Sequence, residues 1–576
     1  MADEESQVAQ MNVRPIALAA LLCLVCGAAI AQEVPAAGLA AEGAGRWEEA
    51  VAVYRRAVSE DPKRSDLWAR ISTIEAQLDD PAAALRAMDA ALAIQPASAE
   101  YLRAGAVLAT WQGDYAHAAE RYRTLVALSE KDDEAILGLA RVTAWSGATD
   151  EAAGAYRRYL RAHPDAGDAW IELARTESWR GNDAAAVDAL ASYRVLAGET
   201  TEYTHELAQV LTHAGRPTIA LALIGTLLQR EPDALDLLAA RPVAFALQGR
   251  THDAYAALDA VQRTHRDSRE AHAAAATVRA LVGSMVQPSA SVYSDSDRLT
   301  VQRYAASASV IVAGSTRVVA GYERALLDAP VSSGLGRQGG RTAVFDQLWA
   351  GASQKLGALT VDGRIGSARA DDRSTTPYQA GVQIRASDTV SLAADRTSNF
   401  FVVSPRTIDL GLTSVRDRAA LEWSAGLRAH VSVQANVDQI SDGNTRWEIT
   451  ATPRTALART ERLNVDAGAT AYLLGTTKNL SDGYYQPRRY ENYGAALFPY
   501  FKISENVGVG LSVTAGVQRD DVAAPFRFGG NASAEVTIGI YRPWVLAVRA
   551  TATNNRRSDT GAFHGYGGSI VLTRRF

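Results

Sequence analysis

Residues 286–576, the C-terminal half of the chain, form a succession of short segments in which apolar and polar positions alternate. In residues 507–517, valine, leucine or alanine occupies every second position, and glycine, serine or threonine fills the positions between them. Successive side chains of a β-strand point to opposite faces, so this period of two predicts strands with one apolar and one small or polar face. About 16 such segments fit into this half of the chain.

Two architectures produce such alternation, a soluble β-sandwich and a membrane barrel. Here the second face carries glycine, serine, threonine, asparagine, glutamine and single charges, and the segments approach the ~9–11 residues that a tilted membrane strand needs. The sequence therefore predicts an antiparallel transmembrane β-barrel of about 16 strands over residues 286–576. Aromatic residues near the segment ends are expected to form interfacial girdles. They are Tyr484, Tyr485, Tyr490, Tyr500, Phe501, Tyr541 and Trp544.

The polar face of this barrel is expected to point inward and to place charged residues in the lumen. They are Asp362, Arg364, Asp438, Glu448, Asp466, Glu535 and Arg549. On the lipid face, a single arginine near the midplane would cost ~2–4 kcal/mol. Two interpretations stay open for each of these side chains: contact with a ligand in a hydrated channel, or an ion pair across the wall.

The N-terminal half repeats itself every 34 residues. Tryptophan begins the motifs Trp-Gln-Gly, Trp-Ser-Gly and Trp-Arg-Gly at Trp111, Trp145 and Trp179. Alanines keep the same step at Ala50, Ala84, Ala118, Ala152, Ala186, Ala220 and Ala254. This pattern resembles the tetratricopeptide repeat, in which each helix pair buries its apolar face against its neighbours. The resemblance implies an α-superhelix of roughly seven units over residues 32–285.

Trp111, Trp145 and Trp179 occupy the same late position of the first helix in three successive repeats. The resemblance implies that this helix lines a concave groove. Because an indole offers a large rigid apolar surface, three of them at regular spacing predict a ladder on which pyranose rings stack. Packing between adjacent repeats is the alternative, and position in the repeat does not separate the two.

The start of the chain has the pattern of a secretory signal peptide. A short basic segment at Arg14 precedes an apolar run that closes on Ala29-Ile30-Ala31, so residues 1–31 are predicted to be cleaved after Ala31. Both cysteines, Cys23 and Cys26, lie inside this segment, which leaves no thiol for disulfide or metal chemistry in the mature chain. No later stretch approaches ~18 apolar residues, so a membrane-spanning helix is not predicted.

Motifs for catalysis and cofactor binding are missing from the sequence. It contains no serine-hydrolase elbow, zinc-protease helix or phosphate-binding loop, and its histidines are few and scattered. We therefore expect no catalytic site, no metal and no cofactor, and do not expect an enzyme. No nucleic-acid partner is expected.

A repeat superhelix followed by a barrel of about 16 strands resembles the outer-membrane secretins of synthase-dependent exopolysaccharides, above all the poly-β-1,6-N-acetylglucosamine export porin. The resemblance implies a barrel in the outer membrane, a helical domain in the periplasm and a biofilm exopolysaccharide chain as cargo. It also implies a synthase complex or a periplasmic polysaccharide-modifying enzyme as partner, besides outer-membrane lipid. Two alternatives stay open: a cellulose-type exporter, and an envelope interaction protein that its barrel anchors.

Overall fold

The computed structural model describes residues 33–521, 525–556 and 560–576. The predicted signal peptide, residues 1–31, lies outside the described residues. In those residues, fifteen α-helices precede the first strand. They are α1 (Ala36–Gly43), α2 (Trp47–Glu60), α3 (Ser65–Gln77), α4 (Pro81–Ile94), α5 (Ala99–Trp111), α6 (Tyr115–Leu128), α7 (Asp133–Trp145), α8 (Thr149–Ala162), α9 (Gly167–Trp179), α10 (Asp183–Ala197), α11 (Thr201–His213), α12 (Pro217–Arg230), α13 (Leu235–Leu247), α14 (Thr251–Thr264) and α15 (Arg269–Val282).

The helices follow the predicted 34-residue repeat. Each repeated alanine lies on the second helix of a pair, and every one has 0% of its surface exposed: Ala50, Ala84, Ala118, Ala152, Ala186, Ala220 and Ala254. A larger side chain at these points would hold the helices apart, because protein cores are packed without room for extra methylene groups. The small residue therefore sets how closely consecutive helices approach.

Glycine closes the first helix of most pairs in the left-handed conformation. The φ angles are 75° at Gly113, 86° at Gly147 and 77° at Gly181, which is the geometry that glycine adopts at a helix C-terminus. Asp79 takes this position in an earlier repeat, with a φ of 59°. Gly283, at the same step of the repeat, is extended instead with a φ of −61°, and the chain leaves the helices there to enter the first strand.

Seventeen strands follow in the part of the chain that the structure covers. They are β1 (Met285–Asp295), β2 (Thr300–Ala313), β3 (Thr316–Asp328), β4 (Thr342–Leu356), β5 (Leu359–Ala370), β6 (Arg373–Thr375), β7 (Tyr378–Arg385), β8 (Val390–Phe400), β9 (Thr413–Ala425), β10 (Ala429–Ile440), β11 (Thr445–Arg459), β12 (Leu463–Thr476), β13 (Tyr490–Ser504), β14 (Val507–Asp520), β15 (Arg527–Ile538), β16 (Trp544–Thr553) and β17 (Gly565–Arg575).

These strands form one closed antiparallel barrel. Neighbours in the barrel are neighbours in the chain, and β17 pairs with β1, for example Ile570 with Ala290. The backbone N–H of Phe576 extends the closure by donating to the carbonyl oxygen of Ser284 at 2.9 Å. Because β5 pairs with both the three-residue strand β6 and β7, sixteen strands make the wall. The predicted fold class, a helical repeat domain followed by a 16-stranded antiparallel barrel, is confirmed.

The outer face of the barrel is mostly apolar and exposed, although the ion pair between Arg396 and Asp417 on β8 and β9 also lies on it. Large apolar side chains lie there on strands all around the wall, among them Val292, Val318, Leu348, Val437 and Val536. Of the predicted girdle residues, Tyr541 and Trp544 are each 53% exposed, next to the turn between β15 and β16. This exterior is the surface that a hydrocarbon environment requires of a barrel.

The girdle prediction is wrong for four tyrosines. Tyr484 and Tyr485 belong to the loop between β12 and β13, where the Tyr485 hydroxyl donates to Asp520 at 2.6 Å. Tyr490 is 1% exposed and its hydroxyl donates to Gln518 at 2.8 Å, while Tyr500 lies over Gly508 on the inner face. The sequence marks these residues as close to strand ends, but strand ends carry inward positions as well as outward ones.

Contacts divide the chain into two compact units, Met1–Tyr203 and Thr204–Phe576. The second unit contains α12 to α15 together with the whole barrel. In it, Arg216 donates to the carbonyl oxygens of Asp388 and Gly426, and the hydroxyl of Thr218 donates to the Asp388 carboxylate at 2.7 Å. Asp388 and Gly426 lie in strand connections, so we call this end of the barrel the helix-side end and the opposite one the far end.

Candidate functional site

The inner wall of the barrel is polar, and the strand register places all seven predicted charged residues on it. On β5, for example, the exposed outer residues Val361 and Ile365 alternate with Asp362 and Arg364. On the other strands, the same alternation and the register of the antiparallel pairs place the remaining five side chains on the inner face. They are Asp438, Glu448, Asp466, Glu535 and Arg549. Whether they contact a ligand stays a prediction.

Asp438 is the centre of a buried charge network on the inner wall. It is 0% exposed and accepts two hydrogen bonds from Arg416, at 2.6 and 2.9 Å. Arg446, 3% exposed, lies 3.8 Å from the same carboxylate and also pairs with Glu448. Two arginines and two acids therefore neutralise one another across β9, β10 and β11, which favours the ion-pair interpretation here.

Three more of the predicted residues form ion pairs on the inner wall. Glu535 and Arg549 face each other on β15 and β16 at 2.7 Å, and both side chains keep more than a third of their surface exposed. Asp466 pairs with Arg459. The sequence did not predict Arg416, Arg446 and Arg459 as partners. The alternation within one strand shows which face a residue occupies, but not which residue of the neighbouring strand lies beside it.

Asp362 and Arg364 differ from these groups. Within 4.0 Å, neither has an oppositely charged partner among the residues that the structure describes. The guanidinium carbon of Arg364 lies 5.0 Å from the ring centre of Trp349, over its face. These two side chains are thus available for contacts with a molecule in the lumen.

The loop between β8 and β9 folds into the far end of the barrel. It contains the short helix α16 (Pro405–Asp409), which begins with a capping box. In that box the Thr407 N–H donates to the Ser404 hydroxyl, and the Thr407 hydroxyl caps the backbone N–H of Ser404. Proline follows the cap directly and fixes the first helical residue. A five-residue helix gains its order from this cap and from the packing around it.

Apolar side chains attach this loop to the inner wall. Phe400 and Ile408 pack in a buried cluster with inward residues of β2 to β5 such as Leu327 and Phe345. Phe401 packs in a second cluster whose ring partner is Tyr484, at 5.0 Å between ring centres. The loop therefore lies against the wall at the far end, and its anchors come from two different sides.

Hydrogen bonds connect four loops of the far end to one another. The Ser404 hydroxyl donates to the carbonyl oxygen of Gly483 at 2.6 Å, and the Arg406 N–H donates to that of Leu335 at 2.8 Å. The Tyr484 hydroxyl donates to Asp442 at 2.6 Å. Burial and the Asp442 carboxylate raise the pKa of Tyr484, so this hydroxyl keeps its proton at neutral pH and the connection persists.

Two cavities lie under this loop on the inner wall. The larger, about 440 Å³, is bounded by loop residues such as Phe401 and by the charge network through Arg416 and Arg446. The smaller, about 240 Å³, is bounded by Trp349 and Arg364. Both cavities share Glu323, Gln347, Thr397 and Asn399 in their walls. The polar side chains and the aromatic rings of the lumen thus meet in one region below the far-end loops.

The three repeated tryptophans take different environments in the helical unit. Trp111 is 8% exposed and packs with Met88 and Leu108, so its predicted exposure in a groove is wrong. Trp145 is half-buried, with its ring centre 5.7 Å from that of Tyr115. Trp179 is also half-buried. A regular ladder of three accessible indoles is therefore not present, and sugar binding by Trp145 and Trp179 stays a prediction.

Replacing Trp111 with alanine is expected to destabilise the helical repeats by ~3–5 kcal/mol, the usual cost of removing a buried large aromatic side chain. The matched variant Trp179→Ala removes a half-buried indole at the same repeat position and is expected to cost less. Thermal unfolding of the full chain, followed by helical circular dichroism, measures both. Equal losses would mean that repeat position, and not burial, decides the contribution of these residues.

Comparisons with known proteins agree with the helical architecture. Models of the tetratricopeptide repeat match residues 41–108 and residues 109–166. Residues 41–166 are tetratricopeptide repeats. No curated protein sequence matches the chain.

Solved structures of other proteins resemble parts of the chain. A bacterial polysaccharide outer membrane secretin is 14% identical, with 51% of this chain and 98% of that one covered and a TM-score of 0.44. A tetratricopeptide repeat protein from Parabacteroides merdae is 16% identical, with 42% and 95% covered and a TM-score of 0.33. The MamA protein is 17% identical, with 29% and 91% covered and a TM-score of 0.26. In the described ranges, no helix is long and apolar enough to cross a bilayer.

Proposed function

We propose that this protein exports an exopolysaccharide through its barrel, which lies in the outer membrane with the tetratricopeptide repeats in the periplasm. The observation that carries the proposal is the difference between the two faces of the wall: a closed barrel of sixteen strands is mostly apolar outside and lined inside by charged, amide and aromatic side chains around cavities. A hydrated interior behind an apolar exterior is what passage of a hydrophilic chain through lipid requires.

We propose poly-β-1,6-N-acetylglucosamine, a biofilm polymer, as the exported chain, because the order of repeat superhelix and 16-stranded barrel resembles that of its export porin. Export needs no catalytic residue in this chain, since the inner-membrane synthase would supply the polymer and the driving force. The repeats would guide the polymer or hold a periplasmic polysaccharide-modifying enzyme. Inside the barrel, side chains would replace water around the sugars by hydrogen bonds of similar strength, so that the polymer slides without a deep trap.

A second function is favoured by one specific observation. The loop with α16 packs against the inner wall at the far end. A barrel that serves only as a membrane anchor can have a filled interior, because no polymer passes through it. In that case the tetratricopeptide repeats would recruit envelope proteins and the barrel would hold them at the outer membrane. The two functions differ in whether polymer crosses the barrel.

We expect the full chain to restore surface polymer in a host that has the synthase but lacks its own outer-membrane exporter. Immunoblots of surface and periplasmic fractions measure where poly-N-acetylglucosamine or cellulose accumulates. The control is a chain with the same tetratricopeptide repeats and an unrelated, filled barrel of eight strands, which is expected to leave polymer in the periplasm. Equal surface polymer with both chains would contradict export and favour the anchor.

A further inference from the structure

The indole of Trp349 packs over a glycine of the neighbouring strand on the inner wall. It faces inward on β4, between Gly321 on β3 and Gly366 on β5. A Cβ atom added at Gly321 would come within 2.5 Å of the indole, whereas one added at Gly366 would first meet the backbone carbonyl oxygen of Leu348, with the tryptophan Cβ at 3.0 Å. The wall is therefore shaped to take a large ring at this point, which a simple polar lining would not need.

The side chains around this indole offer hydrogen-bond donors to the smaller cavity. The Asn399 side-chain amide donates to the Gln347 carbonyl oxygen at 3.0 Å and accepts from the N–H of Phe400 at 2.8 Å, so its own groups are used. For the Gln347 NH₂ group, no acceptor is found in the described part of the chain. Together with the guanidinium of Arg364, the cavity thus presents unused donors beside an aromatic surface.

The charges around the cavity balance. Arg303 and Glu323 form an ion pair at 2.5 Å, and Asp362 and Arg364 carry opposite charges two residues apart on the same face of β5. An anionic or cationic ligand would meet an equal number of like and unlike charges here. A neutral ligand with an apolar face and hydrogen-bond acceptors matches the site better.

We propose that Trp349, Arg364 and Gln347 form a binding station for one neutral hexopyranose unit of a passing polymer. The apolar face of the sugar would rest on the indole, and its oxygens would accept hydrogen bonds from the guanidinium and the amide. Arg364 lies over the ring without an ion-pair partner, so a sugar displaces it from the indole without breaking a salt bridge. The station rests on the proposed function, since it requires a polysaccharide in the lumen.

The test is isothermal titration calorimetry of the purified full chain in detergent with β-1,6-linked N-acetylglucosamine oligomers. Trp349→Ala and Arg364→Gln are each expected to weaken binding about tenfold, the loss that removal of an aromatic platform or a charged donor causes. Oligomers of glucosamine, which are cationic, and of galacturonic acid, which are anionic, are expected to bind more weakly than the neutral ones. Tighter binding of either charged series would overturn the neutral-sugar assignment.

Trp447 supplies the matched control. It lies on the outer face of β11, where its indole covers Gly475 of the neighbouring strand, and a Cβ added there would come within 2.6 Å of the ring. Trp447→Ala thus removes the same packing arrangement from the opposite face. Unchanged oligomer affinity in this variant, against a loss in Trp349→Ala, supports the station. Equal losses would mean that barrel stability is being measured, and the station would be rejected.

Failure of the station differs from failure of export. If the chain brings polymer to the cell surface while Trp349→Ala binds oligomers as tightly as the unchanged protein, only the station is wrong. If polymer stays in the periplasm of cells that carry the unchanged chain, the proposed function itself is wrong, and the station falls with it.

Discussion

Replacing Phe401 and Ile408 together with serine is expected to release the far-end loop from the inner wall and to raise the ion conductance of the barrel. Phe401 is 5% exposed and Ile408 is 2% exposed, in two separate buried clusters. Truncating a buried phenylalanine or isoleucine costs ~2–5 kcal/mol, so the two changes shift the equilibrium between packed and released loop by about three orders of magnitude or more.

Single-channel recording of the purified full chain in planar bilayers measures this effect. The control variant Phe528→Ser changes a phenylalanine on the outer face that is 68% exposed, and it is expected to leave conductance unchanged. Conductance that stays the same in the double variant, with strand content intact, would mean that the packed loop does not limit passage. The loop would then be a wall element, and the anchor function would gain support.

The period of two and the period of 34 are the parts of this fold that the sequence predicts well. Alternation decides which side chains share a face, so the inward placement of Asp362 and Arg364 follows from local pattern alone. Likewise a fully buried alanine such as Ala152 recurs at every repeat because each repeat meets the next in the same way. The alternation depends only on residues close together in the chain, and the 34-residue repeat depends only on copies of one unit, so both can be recognised without knowledge of distant contacts.

Features that depend on distant partners were not predicted from sequence. Tyr490 lies on the inner face, where Gln518 on the next strand accepts its hydrogen bond, and the sequence around Tyr490 contains no sign of that partner. Trp111 is buried by Met88 of the preceding repeat, although its position equals that of the half-buried Trp179. The partner of a charged residue on the wall is likewise fixed by strand register, which emerges only when the barrel closes.

The charge network and the far-end loop meet at the larger cavity. Phe401 of the loop and Arg446 of the wall both border it, so the loop shields the network on its far-end side. Shielding of this kind raises the cost of an unpaired charge, since ion pairs in a low-dielectric setting are strong only while both members are present. The loss of unfolding free energy caused by a substitution in the network therefore measures how far water reaches into the upper lumen, the part of the barrel interior next to the far-end loops.

Asp438→Ala is expected to destabilise the barrel by ~3–5 kcal/mol, because it takes one of its two acidic partners from the buried guanidinium of Arg446 and the hydrogen-bond acceptor from Arg416. The matched variant Glu535→Ala breaks the more exposed pair with Arg549 and is expected to cost ~1 kcal/mol or less. Reversible urea unfolding of the barrel in lipid vesicles measures both free energies. A small, equal loss in the two variants would mean that water reaches Asp438 as freely as Glu535, and the upper lumen would then be open even with the loop in place.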